Sequence, residues 1–259
     1  MPLSSAVRQR GALTPRAGLA KWWPMKRRLG VLLLAPCALS CGTRSSEPPL
    51  ALDPAASHYG KTYVQWAGEW ERWIYEMRVS TDCETPISDA TGASCARFQD
   101  DRSPVSFLVG NFGGVVRRTE CALPRGKPLF VPIIVSFQDN GGVPRESWKT
   151  DLELERSAEA QGEGITQVTF SLDGRSLAPL DRYAIRAARY EYTLPPEPNV
   201  FSCQGAPVTG SYAGYTSGYF VMVPPLDPGS HRIEFTAKAS PQGLAPFSLD
   251  VIYDPLVIR

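Results

Sequence analysis

The sequence predicts a mainly β protein, an antiparallel β-sandwich of the jelly-roll or immunoglobulin-like type, with an N-terminal amphipathic helix packed on it and one further short helix. Short runs that alternate apolar and polar residues recur from residue 105 to the C-terminus, with turn residues between them. Helical patterns do not alternate with these runs, as they would in a parallel α/β fold. The chain after the N-terminal segment is also long enough to bury one sizeable core.

A tryptophan-rich segment from Tyr59 to Met77 predicts the first helix. Its large apolar residues recur at intervals of four and three, which places them on one helical face. They are Tyr59, Tyr63, Trp66, Trp70, Trp73 and Met77. This face is expected to pack on the β core, and the alternative is an exposed aromatic platform for a ligand. The opposite face is expected to be in water. It carries Lys61, Glu69, Glu71, Arg72 and Glu76, of which Glu69 and Arg72 are spaced to form an ion pair.

The strand pattern begins after a polar loop at 81–101. The runs 105–109 and 115–121 are interpreted as a hairpin, because a glycine-rich segment separates them. The run 129–136 is the most β-prone in the chain. Pro132 within it cannot donate a ladder hydrogen bond, so a bulge or an edge position is expected there.

A capping box from Thr150 to Glu153 predicts the second helix, which is expected to continue to about Ala158. Alternation returns after it, and Asp173–Gly174 is a strong hairpin signal. The predicted strands of this part are 165–172, 183–192, 219–223, 231–236 and 247–253. The turn at 224–229 is expected to join 219–223 and 231–236 as a pair.

Residues 1–41 are predicted to be a secretion signal with an over-long leader. They contain seven basic residues and no acidic one, and their apolar run is about twelve residues, short of the ~20 that span a bilayer. The run ends at Ala38–Gly42, which is similar to a bacterial lipobox. Cys41 is therefore the predicted lipid attachment site, and the alternative is an ordinary signal peptide. Residues 42–56 are predicted to be a flexible tether and 57–259 a single domain.

Charge argues against a nucleic-acid partner. The chain has 27 Lys and Arg against 26 Asp and Glu, and without the seven basic residues of the leader 20 remain against 26, a net charge of −6. A mildly acidic surface without a basic patch repels phosphate. The predicted location is the bacterial cell envelope, with the lipid anchor in the outer membrane, or otherwise the periplasm or the exterior.

Four cysteines remain beyond the leader, and an exported chain meets an oxidising compartment, which favours two disulfides. They are Cys83, Cys95, Cys121 and Cys203. Zinc is the alternative, but no Cys-x-x-Cys pair occurs and the two histidines are far apart in the chain. Three pairings are possible. We favour Cys95 with Cys121, around a predicted strand pair, and Cys83 with Cys203, where a long loop gives a larger entropic gain. No metal or cofactor is predicted.

Several motifs of the mature region occur together. They are Tyr-Gly-x-x-Tyr before the tryptophans, Phe-Leu-x-Gly-x-Phe-Gly-Gly at 107–114, Cys-x-x-Pro-x-Gly-Lys-x-Leu-Phe-x-Pro-Ile at 121–133 and Pro-Pro-Leu-x-Pro-Gly-x-His-x-Ile-x-Phe at 224–235. On these residues the chain resembles a family of uncharacterised secreted bacterial proteins and lipoproteins. It departs from that family at Trp73–Met77. The resemblance implies secretion and a Cys95–Cys121 disulfide, and it implies no mechanism.

Few residues suggest catalysis. A Ser-His-Asp or Cys-His site needs a basic imidazole, and His231 shares a strand face with Ile233 and Phe235, as expected of a packing histidine. No Gly-Lys-Ser/Thr phosphate loop occurs. A glycoside hydrolase needs only two acids about 5 to 9.5 Å apart. The candidate acids are Glu69, Glu76, Asp139 and Asp151. The segment at 139–141 lacks the regular acid spacing of a calcium loop.

Two functions from different classes follow. The favoured one is a lipid-anchored, non-enzymatic binding or structural module whose ligand is a glycan, a peptide or an envelope protein. Its candidate ligand surface comprises Tyr212, Tyr215, Tyr219, Asp139 and Asn140. The three tyrosines are taken as exposed aromatics, and ordinary packing on a sheet is the alternative. The second function is an extracytoplasmic polysaccharide hydrolase that uses two carboxylates.

Overall fold

The structure, a computed structural model, describes residues 48–241 and 243–259. The part of the chain from residue 47 onward forms one compact unit. It is mainly β, with two mixed sheets and two α-helices among the described residues. The predicted secretion signal, Cys41 and the first residues of the tether lie outside the described residues. Neither described α-helix combines the length and the apolar character that crossing a membrane requires.

The first helix, α1, extends over Tyr63–Tyr75. Its N-terminus is a capping box, in which the Thr62 hydroxyl accepts a hydrogen bond from the backbone N–H of Gln65 and the Gln65 side chain accepts one from the backbone N–H of Thr62. The predicted start at Tyr59 is too early. Tyr59 and Gly60 have φ values of 53° and 83°, a left-handed turn that a helix cannot contain.

Ten strands and a second helix complete the described fold. The strands are β1 (Ser106–Phe107), β2 (Gly114–Arg118), β3 (Ala122–Leu123), β4 (Leu129–Asp139), β5 (Ile165–Leu172), β6 (Arg175–Ser176), β7 (Ala184–Leu194), β8 (Gly210–Val223), β9 (Gly229–Ala239) and β10 (Phe247–Ile258). One sheet has the order β1-β4-β8-β7, and the other has the order β2-β10-β9-β5-β6, with β3 also paired to β10. Helix α2 covers Asp151–Glu163 and begins with the predicted capping box, although it extends beyond the predicted end at Ala158.

Two predicted strand pairs are wrong. Strands β1 and β2 do not form a hairpin, because β1 pairs in parallel with β4 and β2 pairs in parallel with β10. Strands β8 and β9 also lie in different sheets. A turn between two β-prone runs predicts that the chain changes direction, but it does not identify the partner strand. The parallel pairs make both sheets mixed, which corrects the purely antiparallel fold predicted from the sequence.

The predicted irregularity at Pro132 is a bulge. The register between β4 and β8 shifts between Pro132 and Ile134, and β1 pairs with the opposite side of β4 only at residues 129 and 130. Strand β8 is much longer than the predicted run 219–223 because its first half is rich in glycine, which weakens the β pattern. Gly218 is required there, since its φ is +148° and a Cβ atom would lie 2.1 Å from the carbonyl oxygen of Ile134.

Apolar side chains from both sheets and from α1 form one large core. The core also includes the chain before α1, where Ala51 is buried and the backbone N–H of Leu52 donates to the carbonyl of Met222. The ordered fold therefore begins before residue 57, which shortens the predicted tether at its C-terminal end.

The tryptophan face of α1 is buried as predicted for Trp66 and Trp70, which are 3% and 4% exposed, whereas Trp73 is half-buried. Each indole N–H donates to a backbone carbonyl, and that of Trp70 reaches Leu108 at 2.8 Å. The Trp70 ring also packs edge-to-face on Phe220 of β8. The helix is thereby fixed to the core by packing and by hydrogen bonds together.

Replacing Trp70 by phenylalanine is expected to lower the free energy of unfolding by about 1–3 kcal/mol, because the buried carbonyl of Leu108 loses its donor. Trp148 is the matched control. Its indole also donates to a backbone carbonyl, that of Val143, but the residue is 39% exposed, so Trp148→Phe is expected to change stability by less than about 0.5 kcal/mol. Urea unfolding of both variants checks this, and equal losses would contradict it.

Two disulfides join Cys83 to Cys203 and Cys95 to Cys121, with Cα atoms 5.5 Å apart in each pair. This is the pairing that we favour from the sequence. Disulfides of this kind persist in oxidising compartments, so they indicate an extracytoplasmic location.

Candidate functional site

A cavity of about 680 Å³ lies between α1, β4, the first residues of β10 and three loops, at 77–88, 110–112 and 200–204. Its lining is predominantly apolar. The aromatic residues among the lining are Trp70, Tyr75, Phe112, Phe137, Phe201 and Phe247. Phe112 and Phe137 are 73% and 49% exposed, so they mark the opening, whereas Ile133, only 1% exposed, lies at the closed end.

Two cross-links hold the loops that form the cavity walls. The Cys83–Cys203 disulfide joins the loop after α1 to the loop before β8, and both cysteines line the cavity. Arg118 of β2 is 1% exposed and joins the loop after α1 to the segment at 109–110. Its guanidinium donates to the carbonyls of Pro86, Ile87 and Asp89 on one side and to those of Val109 and Gly110 on the other. These bonds fix the walls relative to one another.

Glu71 of α1 lies on the cavity wall and is only 1% exposed. The sequence prediction that it faces water is wrong, because the side of α1 that carries Gly68 and Glu71 is covered, although Val64 and Arg72 of the same helix are exposed. The helix approaches β7 so closely that a Cβ atom on Gly68 would lie 2.8 Å from the carbonyl oxygen of Arg189. Glycine at position 68 therefore permits the contact that buries the next turn of the helix, including Glu71.

The environment of Glu71 favours its neutral form. Burial raises the pKa of the carboxyl, the hydrogen bond from the Thr216 hydroxyl opposes that rise, and the nearby charge of Asp139 adds to it, for a pKa of about 8. Thr216 Oγ1 donates to Glu71 Oε1 at 2.7 Å. Among the described residues no group donates to the second oxygen, Oε2. Glu71 is also the only acidic or basic side chain among the residues described as lining the cavity.

Asp139, a predicted site residue, is enclosed by tyrosines. The hydroxyls of Tyr75 and Tyr190 donate to Oδ2, each at 3.0 Å, and Tyr192 donates to Oδ1 at 3.1 Å. The backbone N–H of Gly141 also donates to Oδ1, at 2.6 Å. The Tyr75 ring stacks on Tyr192 with centroids 4.1 Å apart, and it also lines the cavity. Asp139 therefore orients the tyrosines behind the cavity wall, and its oxygens are already occupied.

The other predicted ligand residues do not form an exposed aromatic surface. Tyr215 is 7% exposed and donates to Asp151, whereas Tyr212 and Tyr219 are half-buried. Asn140 is buried and exchanges two hydrogen bonds with the backbone of Lys149, which closes the loop before α2. The expectation of an exposed side chain is wrong for Tyr215, because β8 is an inner strand of its sheet, with α2 packed near it.

The four candidate acids of a hydrolase are only partly brought together. Glu69 forms ion pairs with Lys61 and Arg72, as predicted for Arg72, and lines neither pocket. Glu76 and Asp151 both line a second, polar groove of about 640 Å³ that Asn140, Trp148 and Tyr212 also line. Asp139 lines neither pocket. Among the described residues, no cluster of three or more His, Cys, Asp or Glu has the arrangement of a metal site.

The sequence analysis did not predict the cavity. The residue that best indicates it in the sequence is Glu71. Glu71 lies between Trp70, on the apolar face of the helix, and Arg72, on the polar face. A helix that carries small residues at Ala67 and Gly68 has a second face able to pack closely. That pattern indicates that an acid on the same side is buried.

No family model, no curated protein and no solved structure matches this chain. The resemblance to a family of secreted bacterial proteins therefore stays a prediction.

Proposed function

We propose that this protein is an extracytoplasmic binding protein that holds a small, largely apolar organic molecule in the cavity beside Glu71. The observation that carries the proposal is the cavity itself. Its volume of about 680 Å³ falls in the range of about 300–1,000 Å³ that small-molecule sites occupy. Its walls are apolar and aromatic, and one buried carboxyl lies among them, which is the composition typical of such sites.

The way the cavity walls are held supports a binding site rather than a packing defect. A disulfide and a buried arginine hold the loops around the cavity, and a preformed site of this kind loses little entropy when a ligand enters. Glu71 costs folding free energy in an apolar wall. A role in recognising a ligand would account for that cost.

We further propose that the two sheets stack as a β-sandwich and that the mature chain begins at a lipid-modified Cys41 in the cell envelope. The shared core of the two sheets supports the sandwich. The basic flank, the short apolar run and the small residue before Cys41 support the anchor. Mass spectrometry of the mature N-terminus is expected to find a lipidated Cys41, and an unmodified terminus at another residue would refute the anchor.

Displacement of a neutral fluorescent dye, N-phenylnaphthylamine, tests the binding function. The purified protein is expected to bind the dye with enhanced emission, and n-decanol is expected to displace it. Ile74→Trp places a larger side chain on the cavity wall and is expected to weaken dye binding at least about tenfold. Val64→Trp is the matched control, because Val64 lies on the same helix, is 47% exposed and does not line the cavity. Equal dye binding by both variants would refute the proposal.

The polar groove supports a second candidate function, saccharide binding or hydrolysis. Trp148 and Tyr212 pack 6.0 Å apart beside it, and aromatic faces of this kind stack on sugar rings. Glu76 and Asp151 supply two carboxylates, the number that glycoside hydrolysis requires. Each already accepts a hydrogen bond, from the backbone N–H of Thr193 and the hydroxyl of Tyr215 respectively, so we rank this function second.

A glycan array and a polysaccharide hydrolysis screen test the second function. Trp148→Ala is expected to abolish any saccharide signal that arises from the groove, while dye binding in the cavity stays unchanged. A saccharide signal that survives this substitution would place the contact elsewhere.

A further inference from the structure

We propose that the cavity selects ligands that carry a protonated amine on an apolar body, with the ammonium group paired to Glu71. This inference rests on the proposed binding function and names the class of ligand. The ligand class would comprise alkylamines and arylalkylamines.

The placement of charge in the cavity argues for a cation. Glu71 is the only acidic or basic side chain among the described lining residues, so a carboxylate or phosphate ligand would meet no counter-charge there. Asp139 of β4 lies behind the wall and contributes further negative potential. Asp139 attracts a cation and repels an anion, and Glu71 attracts a cation once it has lost its proton.

The hydrogen-bonding state of Glu71 leaves room for a donor. Thr216 of β8 donates to Oε1, and Oε2 receives no hydrogen bond from the described residues. The tyrosine hydroxyls of this region, at positions 75, 190 and 192, all donate to Asp139 instead. An ammonium group has three donors and no acceptor, so it supplies what Oε2 lacks.

The aromatic walls suit the same ligand. Trp70 and Phe201 line the cavity together with Glu71, whereas the Tyr75 ring, which also lines it, already stacks on Tyr192 and on Phe201. The faces of such rings attract cations, and the attraction grows when the cation is removed from water. The apolar remainder of the cavity would then hold the hydrocarbon part of the ligand.

Pairing with an amine requires a proton to leave the site. Glu71 is mostly neutral at pH 7 because burial, opposed in part by Thr216 and assisted by Asp139, holds its pKa at about 8. An amine is already protonated in water at this pH. When the ammonium ion binds, the O–H bond of Glu71 breaks and its proton passes to the buffer. The complex then contains a carboxylate and an ammonium ion, and up to one proton is released per ligand.

Titration calorimetry of the purified protein at pH 7 with n-decylamine, n-decanol and n-decanoate tests the inference. Measurements in phosphate and in Tris, whose ionisation enthalpies differ, yield the number of protons released. Decylamine is expected to bind at least about tenfold more tightly than decanol and to release a measurable fraction of one proton, up to one per ligand. Decanol is expected to release none, and decanoate is expected to bind most weakly.

Two variants sharpen the test. Glu71→Gln retains an acceptor for Thr216 but cannot ionise, so it is expected to remove the proton release and to lower decylamine affinity at least about tenfold. Glu69→Gln is the matched control, since Glu69 lies on the same helix and does not line the cavity; it is expected to behave as the parent. If Glu71→Gln fails to fold, the proton release of the parent protein, measured in the two buffers, still tests the inference.

The outcomes separate this inference from the proposed function. Decanol and dye binding without a preference for decylamine would overturn the amine assignment and leave the binding function in place. Decylamine binding without proton release, or tighter binding of decanoate, would also overturn the assignment. If the dye and all three probes fail to bind, the binding function itself is refuted and the inference with it.

Discussion

Raising the pH from about 5 to about 9 is expected to lower the free energy of unfolding by about 3–5 kcal/mol, and Glu71→Gln is expected to abolish most of that loss. The folded-state pKa of Glu71, about 8, lies above its ordinary value of 4.5 because burial penalises the charged form. A carboxyl with a raised pKa stabilises the fold fully below its unfolded pKa. That stabilisation is lost as the pH rises through the folded pKa, because the unfolded chain ionises more readily.

A second group titrates in the same window. His231 is partly buried, which lowers its pKa, but its hydrogen bond to Asp173 and the carbonyl of Asp227 raise the pKa above the ordinary value of 6.5. Its contribution is likewise lost as the pH rises. The difference between the parent and Glu71→Gln isolates the effect of Glu71, since His231 is present in both.

Urea unfolding at several pH values measures this difference. The parent and Glu71→Gln are expected to have similar stability near pH 5 and to diverge as the pH rises, with the variant more stable near pH 9. Glu69→Gln removes a half-exposed acid that pairs with Lys61 and Arg72, so it is expected to shift stability by no more than about 1 kcal/mol. Parallel curves for the parent and Glu71→Gln would show that folding does not raise the pKa of Glu71.

Replacing Arg118 by methionine is expected to lower the free energy of unfolding by about 3–5 kcal/mol, because a buried group with many hydrogen bonds is removed and its partners stay buried. The guanidinium donates to five backbone carbonyls, of Pro86, Ile87, Asp89, Val109 and Gly110. It also donates to the hydroxyl of Tyr253, and its carbon lies 5.2 Å from the centroid of that ring. Methionine fills a similar volume but donates no hydrogen bond.

Arg117 is the matched control because it is the neighbouring residue on the same strand and points to solvent. Its side chain is 52% exposed and pairs with Asp254, so Arg117→Met is expected to cost no more than about 1 kcal/mol. Arg118→Lys is expected to restore only part of the lost stability, since an ammonium group cannot reproduce the planar arrangement of five donors. Equal losses for Arg117→Met and Arg118→Met in urea unfolding would refute the role of Arg118.

Arg118 also links stability to the cavity. Ile87 and Gly110, whose carbonyls it binds, line the cavity. Dye binding by Arg118→Met, measured where the variant is fully folded, is therefore expected to be weaker than that of Arg117→Met.

Local patterns in the sequence were sufficient for the elements that depend on neighbouring residues. The capping box from Thr150 to Glu153 places the start of α2, because both hydrogen bonds of that motif join residues three apart. The missing donor of Pro132 predicts either a bulge or an edge position, and the structure has a bulge there. The burial of Trp66 and Trp70 follows from helical spacing and from the size of the indole.

Local sequence patterns did not predict which strands pair. The sequence predicts a hairpin from 105 to 121, but β1 and β2 find parallel partners whose positions in the chain are distant, β4 and β10 respectively. The alternation of apolar and polar residues specifies which face of a strand is apolar. It does not distinguish between partner strands that have a matching apolar face. The pairing is decided by the packing of the whole core.

The candidate site depended on tertiary structure for the same reason. The sequence was sufficient to predict that α1 has an apolar face, and it shows that four cysteines follow residue 41 and that no recognisable catalytic motif is present. Tertiary contacts were needed to reveal that the polar side of α1 also packs, through Gly68 against β7, and that Glu71 is thereby enclosed. The pKa of an acid depends on what surrounds it in space, and the groups that surround Glu71, Thr216 and Asp139, come from strands distant in the chain.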